Sequence, residues 1–198
     1  MRKLLVAVAA LTMAVSAMAG TGWLDSYVYM NDGVGDTWYD LQGAGQPGGK
    51  FNGADLGIFQ QNGQLWLNSE INAWANLGDT YNYMSLYWRL GTSGGYTEQQ
   101  DATLDNPGGG NNWRGITPSV NLLTGLTPGT YTIQVYAERS HSWGGGGPYI
   151  TRVDVDGDTG GGAVDNPFAA TFDVIPEPTT LALVGLGIAG LLVYRRRR

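Results

Sequence analysis

Residues 91–95, Gly-Thr-Ser-Gly-Gly, match the G-x-S-x-G pattern that in some hydrolases lifts a serine nucleophile onto a sharp strand-to-helix turn. Asp101 or Asp105, and then His141, follow in the order in which such an enzyme places its acid and base. That chemistry needs a helix after the serine and a parallel sheet beneath it, and YTEQQDATLDNP is no adequate helix. The five residues read as a turn after a strand ending at Leu90. Glu70, Glu98 and Glu138 are of the type that glycoside hydrolysis requires in pairs, but their sequence separation pairs none of them. The expectation is a protein without catalytic residues.

Asp154, Asp156 and Asp158 alternate in DVDGDTG, with Asp165 eleven positions after the first, and hard carboxylate oxygens of this kind suit calcium. A helix-flanked calcium loop wants glycine at its sixth position, where Thr159 stands, so an Asp-Gly turn closing a strand competes with the metal. His141 has neither a second histidine nor a cysteine to complete a transition-metal site, and reads as a surface-loop residue. Seven tryptophans and eleven tyrosines are many for 198 residues. Trp113 (GGGNNWRG) and Trp143 (HSWGGGG) fall in glycine-rich stretches beside Asn and Arg, which suits sugar stacking with polar contacts to hydroxyls. Tyr81, Tyr83 and Tyr87 would form a second, flat stacking strip, although strands favour aromatics for packing alone.

Strands must position these residues, because period-2 alternation dominates and helical periodicity is scarce. In TYTIQVYAE, Tyr131, Ile133, Val135 and Ala137 share one face; in YNYMSLYWRL, Met84, Leu86, Trp88 and Leu90 point inward and Tyr81, Tyr83, Ser85, Tyr87 and Arg89 outward. PFAATFDV places Phe168, Ala170, Phe172 and Val174 together, YITRVDV does so for Thr151, Val153 and Val155, and WLDSYVYM is a further strand. DLGIFQQNGQLWLN reads as a hairpin about Asn62-Gly63. Short strands with Gly-rich connections and no βαβ rhythm predict an all-β fold: a single antiparallel β-sandwich, jelly-roll or Ig-like, over residues 20–174. LLTGLTPGTYTIQVYAE resembles the L-x-P-G-x-Y-T loop-into-strand motif of Ig-like and prealbumin-like modules in secreted bacterial proteins. The stretch from Leu65 to Glu138 is similar to β-sandwich domains of exported bacterial proteins. Both resemblances imply the fold and no activity.

The charge is partitioned. Arg2, Lys3 and Arg195 to Arg198 flank a body in which five basic residues face seventeen acidic ones, so nucleic-acid binding is excluded as an expectation. Residues 1–19 have the basic, apolar and small-residue layout of a signal for the Sec export machinery, with Ala17 and Ala19 at the cleavage site. Without cysteine there are neither disulfides nor a lipid attachment point, so the core alone must stabilise an exported body.

Beyond residues 175–178, a linker holding Pro176, Glu177 and Pro178, residues 179–194 carry no charge and are followed by Arg195, Arg196, Arg197 and Arg198. As a helix, 179–194 would extend about 24 Å against a hydrocarbon core of ~30 Å, a marginal transmembrane helix with its arginines cytoplasmic. The two prolines keep the linker extended and reachable. Pro-Glu-Pro, a short apolar helix and an arginine cluster, in that order, resemble the PEP-CTERM sorting signal of Gram-negative bacteria, with Ile175 where that family often has Val. The resemblance implies an exosortase-type membrane processing enzyme as partner, in organisms that make exopolysaccharide. It also implies a fate: a precursor tethered at the inner membrane, then a product at the cell envelope, outer surface or extracellular matrix. From the body itself the expectation is a non-enzymatic structural role, with exopolysaccharide binding through Trp113 and Trp143 as the alternative.

Overall fold

The computed structural model describes residues 21–42, 49–75, 79–101, 103–106, 112–143, 146–158 and 161–196. The signal segment with Ala17 and Ala19, the side chains of Trp143 and Asp158, and Arg197 and Arg198 lie outside the described residues.

Fourteen strands are described: β1 (Thr21–Trp23), β2 (Ser26–Asn31), β3 (Asp36–Gln42), β4 (Ala54–Gln60), β5 (Trp66–Ala75), β6 (Thr80–Leu90), β7 (Thr97–Gln100), β8 (Thr103–Asp105), β9 (Asn112–Ile116), β10 (Val120–Asn121), β11 (Gly129–Trp143), β12 (Gly146–Asp154), β13 (Gly157–Asp158) and β14 (Phe168–Ile175). A helix, α1 (Pro178–Arg196), follows. The strands form two sheets. In the first, β5 is the spine: β2 and β1 share one of its edges, β9 and β10 the other, and β3 and β8 lie outermost. In the second, β11 is the spine, with β6 and then β7 on one edge and β14 and β12 sharing the other.

Alternation explains the core. Val28, Met30, Leu67, Ile71 and Ala73 of the first sheet meet Met84, Leu86, Ile133, Val135, Ala137, Phe168, Ala170 and Phe172 of the second, all buried. At Gly115 of β9 an added Cβ would stand 2.6 Å from the Met84 Cβ, so only glycine permits that approach of β9 to β6. Arg139 is also interior, 1% exposed, its guanidinium over the Trp23 ring at 4.4 Å and donating to the Tyr81 hydroxyl at 3.1 Å. Burial in a stacked, hydrogen-bonded setting is how a sandwich interior accommodates a permanent cation.

Four expectations need correction. Residues 60–65 form no hairpin, because β4 belongs to the second sheet and β5 to the first; neither Asn62 nor Gly63 has the positive φ of a hairpin turn, and the segment is a crossover. The sandwich is not wholly antiparallel: β14 pairs in parallel with β4, from Ala170↔Ala54 to Ile175↔Gln60. Tyr81 points inward and is 5% exposed, because the β6 register against β11 skips Asn82 and so inverts the alternation there. His141 sits on β11 and is buried, its ring against Tyr81 and Tyr149.

Candidate functional site

Alternation also decides what each sheet shows to solvent. In β2, Val28 and Met30 point inward, so Tyr27 and Tyr29 point outward, and β3 places Trp38 beside both. The Trp38 ring stacks on Tyr29 at 4.4 Å and 27° and meets Tyr27 edge-on at 6.1 Å. On the same face β5 contributes Glu70 and Asn72. The Asn72 amide donates to the Asp25 carbonyl at 2.8 Å and to Glu70 Oε1 at 3.2 Å. Arg114 of β9 makes a two-pronged pair with Asp105 of β8, at 3.2 and 2.8 Å, each side chain about a third exposed.

A cavity of about 330 Å³ opens here, lined by Leu24, Asp25, Tyr27, Asn72, Asn112, Trp113 and Arg114. Burial, and then the charge and hydrogen bond of Asp25, raise the pKa of Tyr27. Burial, then Asp36 and Glu70, raise that of Tyr29. Both phenols therefore stay neutral through ordinary pH, Tyr27 with its O–H directed to Asp25. The Asp105 hydrogen bond and charge likewise raise Arg114, which is a fixed cation. Neutral aromatic faces, two amides, a carboxylate and a guanidinium around an open hollow match a ligand rich in hydroxyl groups.

Trp113 lies on β9 rather than in a loop; its ring is half-buried, edge-on to Tyr81 at 6.0 Å, and it forms one wall of the cavity. Trp143 ends β11, with its side chain outside the described residues. Tyr27, Tyr29, Trp38, Asn72 and Arg114 are absent from the expected site, although SYVYMN and DTWYDL carry aromatics at outward positions.

The outer face of the second sheet is closed by its own network. Tyr83 and Tyr87 donate to Glu138 Oε1 at 2.8 and 3.3 Å, while Arg152 donates to Oε2 at 2.6 Å and to the Gly161 and Gly162 carbonyls at 3.1 and 2.9 Å. Tyr87 stacks on Tyr136 at 4.8 Å and 2°, and Tyr96 closes over Tyr136 edge-on with Arg89 above it. Glu138 is 2% exposed, so the half-buried Tyr83 and Tyr87 turn their hydroxyls onto a buried carboxylate, and the expected flat stacking strip is a polar cluster. Glu98 approaches the same cluster, accepting from Ser85 at 2.9 Å.

The remaining candidates do not converge. Ser93 lies in the β6–β7 connection, beyond Leu90, whereas His141 pairs with Tyr81 at the other end of β6, roughly 30 Å away along the strand. Asp101 accepts from the Met84 amide at 2.7 Å. Asp154 is buried and accepts from the amides of Asp156, at 2.9 Å, and Asn166, at 3.4 Å, which is turn chemistry. Among the described residues no group of three or more His, Cys, Asp or Glu side chains could hold a metal ion; the calcium expectation also needs Asp158, whose side chain lies outside them.

At the other end of the second sheet β14 runs into Pro176 and Glu177, both half-buried, and Pro178 opens α1 at the position where a missing N–H costs nothing. Ile175, expected in the linker, is the last residue of β14. Glu177 accepts from the Asn62 amide at 2.5 Å, so the segment is seated on the body rather than free. Leu183, Val184, Leu186 and Ile188 of α1 are exposed, and Arg195 and Arg196 occupy its last turn, where positive charge opposes the helix dipole. Among the described residues no helix is long and apolar enough to cross a membrane.

The fold thus defines an all-β sandwich bearing a C-terminal apolar helix. Residues 174–198 match the family model of the PEP-CTERM protein-sorting motif, which takes in the end of β14, Pro176, Glu177, Pro178, α1 and the arginines. The chain carries that sorting motif, which implies an exosortase-type processing partner and an exported, membrane-processed protein. A search of curated proteins gives no match.

Proposed function

We propose that the exported body is a non-enzymatic structural component of the cell surface or extracellular matrix, and that it holds exopolysaccharide on the outer face of its first sheet. Sec-dependent export delivers the precursor. The apolar side chains of α1 keep it at the inner membrane, with the arginines on the cytoplasmic side, until an exosortase-type enzyme acts at Pro176 to Pro178.

One observation carries the glycan reading: Tyr27, which lines the hollow with Trp113, Asn72 and Arg114, also meets Trp38 edge-on, and Trp38 stacks on Tyr29. A sugar unit in the hollow and its neighbours over the Trp38 edge would find ring faces and hydrogen-bonding groups at both places. The test is affinity electrophoresis of the body in gels containing the host's exopolysaccharide. Trp38→Ala combined with Tyr27→Ala should weaken retardation about tenfold, since each lost stacking contact is worth about 0.5–1.5 kcal/mol. Retardation unchanged in the double variant refutes this face. No retardation of the unaltered body by any polysaccharide tested leaves a structural role without a ligand.

A further inference from the structure

We propose that Asn62 is a positioning residue for the sorting motif: the turn at residues 60–63 holds Glu177 against the body and slows its capture by the processing enzyme. The inference rests on the sorting motif being cut by such an enzyme.

The motif offers an enzyme few handles. Pro176 and Pro178 have no N–H, so their backbone presents carbonyl oxygens only, and the one charged group is the Glu177 carboxylate. Ile175 just upstream cannot be captured as an added strand. It pairs with Gln60 of β4, its carbonyl accepts from the Gln61 amide at 2.9 Å, and Val174 is already paired with Gly129 of β11. Recognition therefore starts at Pro176 and depends on Glu177, to which the Asn62 amide already donates at 2.5 Å. An enzyme that reads this carboxylate must first displace that amide.

The turn is built to hold its place. The Gly63 amide closes it on the Gln60 carbonyl at 2.8 Å, and a Cβ on Gly63 would lie 2.9 Å from that same oxygen. Asn121 braces the far side: its Oδ1 accepts from the Leu65 and Leu123 amides at 3.2 and 3.1 Å, and its Nδ2 donates to the Gly63 carbonyl at 3.4 Å. Asn62 is exposed at the tip, so its side chain can be changed without disturbing the core.

The experiment is a pulse-chase of the full-length chain in a Gram-negative host that carries an exosortase-type enzyme, following precursor and processed forms on gels. Asn62→Ala and Asn62→Asp should each raise the initial processing rate about fivefold, the scale of one hydrogen bond to a charged acceptor. Asn62→Gln retains the amide and should stay near the original rate. If Asn62→Ala loses the fold, Asn62→Ser, whose side chain is too short to reach Glu177, carries the same expectation. Melting temperatures within about 1 °C of one another exclude a change in body stability as the cause. Unchanged or slower processing of the Ala and Asp variants overturns the proposal. Glu177→Ala separates the two readings. Where it blocks processing and Asn62→Ala has no effect, only the Asn62 proposal fails; where it is processed normally, the sorting reading fails and takes the Asn62 proposal with it.

Discussion

Gly115→Ala tests the contact on which both the core and the wall of the candidate site depend. The new Cβ would lie 2.6 Å from the Met84 Cβ and 3.2 Å from its Cγ and Sδ, against an ordinary separation of roughly 3.5–4 Å. The nearest obstacle is the root of the Met84 side chain, which no rotamer change can move. The strands themselves must part by about 1 Å. Met84 is fully buried, so no solvent gap takes up the strain. Overpacking of this kind costs about 1–3 kcal/mol, and a backbone-rooted clash belongs in the upper half of that range. At about 2 kcal/mol the melting temperature of a body this size falls by about 4–8 °C. Circular dichroism melts and urea titrations of the purified body measure it. Because Trp113 and Arg114 precede Gly115 on β9, parting the strands also shifts two walls of the hollow, and polysaccharide affinity should fall in the same variant. A melting temperature within about 1 °C of the original would mean that β9 and β6 do not meet as described, and the cavity geometry would go with them.

Two further outcomes are expected. Glu138→Ala removes the acceptor for Tyr83, Tyr87 and Arg152 together; with Glu138 buried and Arg152 a quarter exposed, the loss should be about 2–3 kcal/mol by urea denaturation, and a loss below about 0.5 kcal/mol would remove the cluster from the account of stability. Burial, followed for Tyr83 by the Glu138 hydrogen bond and charge and for Tyr87 by the charges of Glu138 and Glu98, raises both phenols far above their ordinary ionisation. The folded state therefore holds protons that the unfolded chain releases near pH 10, and stability should fall as pH rises above 10. In a titration followed at the phenolate absorbance these two tyrosines should ionise only on unfolding, and a full tyrosine count near pH 10 in folded protein would contradict the burial.

How legible the fold was in the sequence depended on whether one strand or a pair was being read. Phe168, Ala170, Phe172 and Val174, and Ile133, Val135 and Ala137, all proved inward, because a half-buried strand writes its own alternation. Pairing is written nowhere in a single strand. Asn62-Gly63 carries hairpin chemistry, yet the flanking strands belong to different sheets, and the parallel neighbour of β14 lies more than a hundred residues away in sequence. The site divides in the same way. The sorting motif was readable because its parts are contiguous, whereas the face built by Tyr27, Trp38, Asn72 and Arg114 draws on four strands that only the sheet assembles. The glycines around Trp113 suggest a loop, but the residue lies on β9, whose pleat turns its ring to the core side of the wall. Tyr81 faces inward because of one bulge residue, Asn82, which alternation cannot anticipate.

The division of labour between the two sheets bears on how such a body could be held and still bind. The motif leaves from β14, and β14 is no edge: β11 bonds it along 129–135 on one side and β4 along 54–60 on the other. A pull on the tail enters at Ile175 and runs along the strand, so both ladders are loaded in shear and many hydrogen bonds must fail together, whereas an edge strand would peel one bond at a time. The aromatic face belongs to the first sheet and looks away from the second. On the proposed reading, tension at the attachment end is therefore borne by β4, β11 and β14, and it reaches the sugar face only through the packed core between them. Strands arranged in that order allow tethering and polysaccharide contact at the same time, with the Asn62 turn at the point where load and processing meet.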